Sequence, residues 1–299
     1  MDNFRRVGIL TKLLLPRVLE TLELLVDFLL REDVEVVVEQ GLSCALDGRK
    51  VTFADRNSLA ESVDLVIVVG GDGSMLSAAR DMARYDVPLL GVNRGRLGFL
   101  TDILPDELEA RVGRVLQGEF VVSDRFLLSA SIYRGDREVN TGLALNDIEL
   151  PPGKSVRMLE FELYIDHQLV YSQLSDGLIV STPTGSTAYA LSAGGPILHP
   201  KLDAMVLVPM NPHTLTSRPI AIAGDSGVEI RVGERRDRQP QVTCDGQKDF
   251  TVEAGDVIRI SRLPGTLRLI HPVDHNFYGI CRSKLGWASR LDGDHHFER

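Results

Sequence analysis

The stretch Leu65-Val66-Ile67-Val68-Val69-Gly70-Gly71-Asp72-Gly73-Ser74 decides the fold. Five apolar residues in a row, four of them β-branched, predict a short strand covered on both faces, as the strands of a parallel sheet are. The glycines break the strand. Ser74 then stands where it could cap a helix carrying Met75, Leu76, Ala79, Met82 and Ala83. A strand, a glycine turn and a helix in that order put backbone N–H groups at the carboxyl edge of the sheet. Open α/β sheets bind ligands there, and helix N-termini favour phosphate. Gly70, Gly71 and Gly73 carry no Cβ, so together with Ser74 they predict a loop that a phosphate can approach closely. Asp72 is the odd member. A carboxylate beside phosphate is repulsive unless it has a task, such as accepting the proton of an attacking hydroxyl or holding a metal. A tight turn with an acidic cap is the plainer alternative.

Working outward, the first third of the chain alternates strands and helices. Val7–Leu10, Val34–Val38 and Pro88–Val92 read as strands, and Pro16 opens a helix with Leu19, Leu22, Val26 and Leu29 on one face. That order implies a parallel sheet with right-handed crossovers. The pattern changes near Phe126. Leu159–Ile165 alternates apolar and polar residues, and short runs follow at Leu178–Val180, Met205–Val208, Val228–Val232 and Val257–Ile260. Asp245-Gly246 reads as a hairpin turn. The second part is therefore expected to be β-rich. The division expected is an α/β nucleotide-binding domain over residues 1–125, a β domain over 126–270 and a closing segment over 271–299.

Composition narrows the classes. The 299 residues are 43% hydrophobic and 25% charged, which suits a globular protein, and the net charge of −9 argues against a nucleic-acid partner. Cys44, Cys244 and Cys281 form neither a disulfide framework nor a zinc pattern. No apolar run is long and uninterrupted enough to span a membrane, and Lys12 interrupts the only signal-like start. A cytoplasmic protein with no membrane attachment is the expectation. Neither G-x-x-x-x-G-K-[ST] nor G-x-G-x-x-G is present, so the common phosphate loop and the dinucleotide fingerprint are both excluded.

The second constellation runs from Asp176 through Thr182-Pro183-Thr184-Gly185-Ser186-Thr187 to Gly194-Gly195-Pro196. A strand here delivers a dense set of hydroxyls and glycines with little charge, which could offer hydrogen bonds to ribose, amide or phosphate groups. Arg94, Arg96 and Arg157 are candidate local cations for phosphate. His271 and His275 are four apart, but Pro272 argues against a helix presenting both to a metal, so no metal ligands are expected.

These stretches resemble the bacterial NAD kinases. The matching segments are Gly70 to Ser74, Asn93-Arg94-Gly95-Arg96-Leu97-Gly98-Phe99-Leu100, Ala144-Leu145-Asn146-Asp147, Asp176 to Pro196, and Asp245-Gly246-Gln247, in the family order and over most of the chain. A GGDG loop also occurs in diacylglycerol kinases, sphingosine kinases and phosphofructokinases. Asn93–Leu100 and Asp176–Pro196 are the specific parts. The resemblance implies transfer of the terminal phosphoryl group of ATP to the 2′-hydroxyl of the adenosine ribose of NAD, giving NADP and ADP. It implies a C-terminal β-sandwich after a Rossmann-like α/β domain, with the last segment returning to the first domain. Asp72 would be the catalytic proton acceptor, Gly73 would approach the dinucleotide phosphates, and Asn146 and Asp147 would contact ribose hydroxyls. Arg157 would meet phosphate. Asp176 and Thr187, Ala188, Tyr189, Ala190, Leu191 and Ser192 would hold the nicotinamide or adenine portions, with Gln247 near the substrate. Leu174 stands where many relatives carry a basic residue, and this neutral side chain removes one basis for preferring NAD over NADH. The family also implies a divalent cation, Mg²⁺ by its usual chemistry, held mainly through ATP, and a homodimer or homotetramer. A lipid kinase would need a basic amphipathic element, which the sequence lacks. A non-catalytic nucleotide-binding protein would need Asp72 or the hydroxyl loop degraded, and both are intact.

Overall fold

The computed structural model describes residues 4–12, 15–95, 98–153, 158–233 and 240–287. The chain separates into two compact units. One is drawn from Met1–Ala78, Val87–Val122 and Ile270–Arg299, the other from Ala79–Asp86 and Ser123–Leu269.

The first unit is built on a seven-stranded sheet in the order Thr52–Ala54, Glu35–Glu39, Arg6–Leu10, Leu65–Val69, Leu89–Val92, Leu267–Pro272, Phe120–Arg125. The first five strands of that order pair in parallel throughout. All five residues of Leu65–Val69 are buried because helices cover both faces. On one face Leu22, Leu25, Val26 and Leu29 of helix Pro16–Arg31, with Leu108, Val112 and Val115 of Leu108–Leu116, pack on Val7, Ile9, Val36, Ile67 and Val92. On the other, helix Arg56–Ser62, capped by the Asp55 carboxylate on the N–H groups of Asn57 and Ser58, brings Leu59 against the sheet. Its approach depends on Gly8, where a Cβ would lie 2.6 Å from the Leu59 side chain. Arg6–Leu10 has Glu35–Glu39 on one side and Leu65–Val69 on the other, so the strand order reverses there. The carboxyl end of Leu65–Val69 thus opens at a topological switch point, where open α/β sheets bind their ligands. Late in the chain Leu267–Pro272 joins this sheet, and the Asn276-capped helix Phe277–Leu285 follows it.

The second unit is a sandwich of two six-stranded sheets. One contains Leu159–Ile165, Val228–Val232, Val257–Arg262 and Leu128–Arg134 as its inner antiparallel strands. The other contains Ala204–Met210, Gly177–Ser181, Asp147–Leu150 and Gln241–Cys244. Phe161, Leu163, Ile230, Ile258 and Ile132 from the first sheet meet Ile148, Leu150, Leu178, Val180 and Leu207 from the second. Gly177–Ser181 shows no in–out alternation, because its reverse face is also covered. Ile179 packs there with Val206, Val208, Ala190 and Leu198.

Candidate active site

At the glycine loop the structure corrects one detail of the sequence reading. The helix begins at Asp72, two residues before the predicted cap, and runs to Met82. Gly71 supplies the carbonyl that accepts from the N–H groups of Ser74 and Met75, so Ser74 is already inside the first turn. Gly70 makes this start possible. Its φ of +154° is unfavourable for other residues, and a Cβ there would sit 2.3 Å from the Ser74 hydroxyl. Gly71 and Gly73 are exposed, Ser74 is buried and Asp72 is half-buried.

The Asp72 carboxylate is clamped by a loop 27–29 residues downstream. Its Oδ2 accepts from the Phe99 N–H at 2.9 Å, and its Oδ1 accepts from the Leu100 N–H at 3.0 Å and the Thr101 hydroxyl at 3.4 Å. Thr101 is itself held by the Asn93 amide at 2.7 Å, and Asn93 Oδ1 accepts from the Gly95 N–H. Gly98 is required for the fit, since a Cβ there would lie 2.0 Å from Asp72 Oδ1. These donors fix the orientation of the carboxylate and leave Oδ2 the less engaged oxygen. Among the described residues no cation pairs with Asp72.

In the second unit Asn146 and Asp147 sit at the turn into strand Asp147–Leu150. The turn is held by another carboxylate. Asp245 accepts from the N–H groups of Leu145 (3.2 Å), Asn146 (2.7 Å) and Asp147 (3.4 Å). Asp245 and Gly246 form the tip of the hairpin between Gln241–Cys244 and Lys248–Thr251, both with φ in the left-handed region (+54° and +59°). Arg80 pairs with Asp245 and donates to Gln247 Oε1 at 2.7 Å. Burial pushes the Asp245 carboxyl above its ordinary value, and Arg80 and the amide donors offset this only in part. Asp147 is 2% exposed, with Oδ2 lacking a hydrogen-bond partner. Burial, then the neighbouring Glu149 and Asp245 charges, push Asp147 up to about 8, and burial also raises Glu149.

The hydroxyl-rich stretch is engaged with itself more than its composition implied. Thr182 Oγ1 donates to the Leu145 carbonyl at 2.6 Å, and Ser181 Oγ donates to the Asn146 carbonyl at 3.2 Å. Ser186 donates to Pro183 and accepts from the Leu198 N–H, and Thr187 donates to Thr184. Gly185 lies so close to Asn146 that a Cβ would be 2.2 Å from its carbonyl oxygen. The hydroxyls of Ser181 and Thr182 thus hold the turn at Asn146 and Asp147, and those of Ser186 and Thr187 shape their own loop. Of the remaining candidates, Tyr189 and Ser192 are exposed, Ala188 and Leu191 are half-buried, and the Ala190 side chain lies wholly in the core. Asp176 is half-buried and accepts from the Asn211 amide, while Leu174 is half-buried with its carbonyl taking the His213 N–H. Arg157 and Arg96 lie outside the described residues.

Sequence reasoning missed Thr101, Arg80 and the role of Asp245. Their partners are distant in the chain, and only the clustering of acidic and glycine residues near them gave a signal. It also set His271 and His275 aside for want of a helix. The structure brings them together without one, through a strand end and the turn that follows it, with both rings on Asp102.

Residues 7–120 match the family profile of the ATP-NAD kinase N-terminal domain, and residues 145–272 that of the C-terminal domain. An NAD kinase of Azotobacter vinelandii is 58% identical over 98% of this chain and 99% of its own. One from Pseudomonas aeruginosa is 57% identical over the same shares. Among solved structures, a yeast NADH kinase complexed with NADH has the same fold (TM-score 0.88, 23% identity, 98% of this chain and 91% of that one). An NAD kinase from Archaeoglobus fulgidus in complex with ATP superposes with TM-score 0.72 at 25% identity, over 94% and 97% of the two chains. With both domains matched, and relatives this similar along almost its whole length, the chain belongs to the NAD kinase family.

Proposed function

We propose that this enzyme phosphorylates the 2′-hydroxyl of the adenosine ribose of NAD with ATP, giving NADP and ADP, and that Asp72 receives the hydroxyl proton. One observation carries the assignment: a half-buried carboxylate at the switch point, held by three donors and paired with no cation among the described residues. Phosphoryl transfer has a loose transition state, so the acceptor oxygen needs placement more than prior deprotonation. A carboxylate oriented by backbone N–H groups provides that placement, and Oδ2 is the atom with capacity for the proton. The exposed Gly71 and Gly73 leave room for phosphate oxygens at the helix N-terminus, where Gly70 sets the entry and Ser74 lies in the first turn.

The divalent ion, Mg²⁺ in our reading, is held mainly on the ATP phosphates, whose charge it neutralises. Asn146 and Asp147 receive ribose hydroxyls from a turn made rigid by Asp245, Thr182 and Ser181. Thr187, Ala188, Tyr189, Leu191 and Ser192, with Leu174, Asp176, Arg157 and Gln247, complete the dinucleotide contacts, and Ala190 can contribute only through its backbone. Among the described residues no helix is long and apolar enough to cross a membrane. A cytoplasmic homodimer or homotetramer, without a nucleic-acid or membrane partner, is the assembly we infer. The test is coupled NADP formation by the wild type and Asp72→Asn, with NAD and NADH as acceptors and ATP and polyphosphate as donors. The variant is expected to bind NAD and turn over slowly. Wild-type turnover in the variant removes Asp72 from the mechanism.

A further inference from the structure

Asp102, His271 and His275 form a cluster that the phosphoryl-transfer chemistry does not use. Asp102 follows directly on the loop whose Phe99, Leu100 and Thr101 hold Asp72. His271 is the penultimate residue of the strand Leu267–Pro272, and His275 lies in the turn closed by its own N–H on the Pro272 carbonyl. Both imidazoles direct Nδ1 at one oxygen, Asp102 Oδ2, at 2.5 Å and 2.9 Å. Their rings stack with centroids 4.0 Å apart. The His271 and Asp102 side chains are 2% and 9% exposed, and that of His275 is 15% exposed. Asp102 Oδ1 is buried and has no hydrogen-bond partner.

One oxygen of Asp102 takes both imidazoles, and the other is left without a partner inside the protein, which is costly. Both Nδ1 atoms face the same carboxylate, and the three groups offer ligand atoms that all lie within 4.8 Å of one another. We propose that this cluster is a divalent transition-metal site of the zinc class, with two imidazole nitrogens and one carboxylate oxygen as ligands and water in the fourth position. Nitrogen and carboxylate ligands at about 2.0–2.2 Å suit Zn²⁺ or Co²⁺ and disfavour Mg²⁺. Ligands on such an ion stand farther apart than the Nδ1–Oδ2 distances seen here, so the carboxylate must step back. At Oδ1 there is no hydrogen bond that such a step would break. Asp274, the other nearby carboxylate, is taken by Arg111 at 2.7 Å and does not join the set. The ion would replace the imidazole protons and brace the loop that orients Asp72 from the C-terminal segment.

The experiment is a titration of tag-free, chelator-treated protein with Co²⁺, followed by visible absorption, with Zn²⁺ and Mg²⁺ as competitors. We expect saturable binding of one Co²⁺ per chain with the intense bands of a four-coordinate site, displaced by Zn²⁺ and untouched by Mg²⁺. His275→Asn places an amide N–H where Nδ1 stood, so it preserves a purely hydrogen-bonded cluster while removing a ligand. Its affinity should fall at least about 100-fold, beyond what loss of outer support alone costs. Circular dichroism checks its fold. Asp102→Asn, which still accepts from an imidazole, supplies the same reading if that variant does not fold. The exposed thiol is controlled by Cys44→Ser, which should bind as the wild type does. Absence of saturable Co²⁺ binding in the wild type, or equal binding in a folded His275→Asn or Asp102→Asn protein, overturns the proposal.

Discussion

Asp72 in the first unit and Asp245 in the second are built alike and placed differently. Each is a carboxylate that accepts from consecutive backbone N–H groups, Phe99 and Leu100 in one case and Leu145 to Asp147 in the other. Asp245 is 7% exposed and paired with Arg80, so its charge is balanced and its oxygens are fully engaged. Asp72 is half-buried with no cation partner among the described residues, and one oxygen retains capacity. The same local device therefore serves two ends. Burial and a countercharge make Asp245 a brace for the Asn146–Asp147 turn, whereas partial exposure leaves Asp72 available to react.

The largest expected effect separates the two directly. Asp72→Asn should lower kcat by about 10²–10⁴-fold, the range for loss of a positioned general base, with the NAD dissociation constant nearly unchanged. Asp245→Asn should do the reverse, raising KM for NAD more than it lowers kcat. It leaves Arg80 facing a neutral amide, so chemical denaturation should show a loss of up to about 3–5 kcal/mol. Steady-state kinetics in which both variants lose kcat alike would erase the distinction. Gly98→Ala sharpens it, because the added Cβ must displace Asp72 Oδ1 without altering any functional group. A displacement near 1 Å costs about 100-fold in turnover, so an unaffected kcat would mean that the clamp does not set the geometry.

The smallest effect concerns pH. Burial, with Glu149 and Asp245 adjacent, raises the Asp147 carboxyl from 3.8 to about 8. Between those values the folded protein holds a proton that the unfolded chain has released. The contribution is complete below the unfolded value and is lost as pH rises through the folded one. The melting temperature of the wild type should thus decline towards about pH 8, and Asp147→Asn should flatten the decline. Parallel curves for the two proteins would show that Asp147 is not the titrating group.

Much of the architecture was legible in sequence because burial leaves a local signature. Leu65–Val69, Leu159–Ile165 and Val228–Val232 are strands over the predicted residues, the first because both its faces are covered, the others because they alternate against one core. The candidate site was legible as a set of positions and less so as a set of roles. Ser181, Thr182, Ser186 and Thr187 looked like ligand donors, since hydroxyl type and spacing are all that composition reveals. Folding turns them onto the carbonyls of Asn146, Leu145, Pro183 and Thr184. Ser74 looked like a cap because serine is a usual capping residue, whereas the helix starts at Asp72 with the Gly71 carbonyl accepting from Ser74 and Met75.

By itself the sequence determined where the chain turns at the glycine loop, that a parallel sheet lies behind it, and that Asp72 is the residue out of place there. Tertiary structure alone decided what surrounds that carboxylate: Phe99, Leu100 and Thr101, with Gly98 leaving space. It likewise decided that Arg80 neutralises Asp245 and that Asp102 gathers two histidines 169 and 173 positions away. Local pattern follows from backbone geometry and burial over a few residues. Hydrogen bonds and charge pairs between distant segments follow from packing, and no periodicity in the chain records which segments packing will bring together.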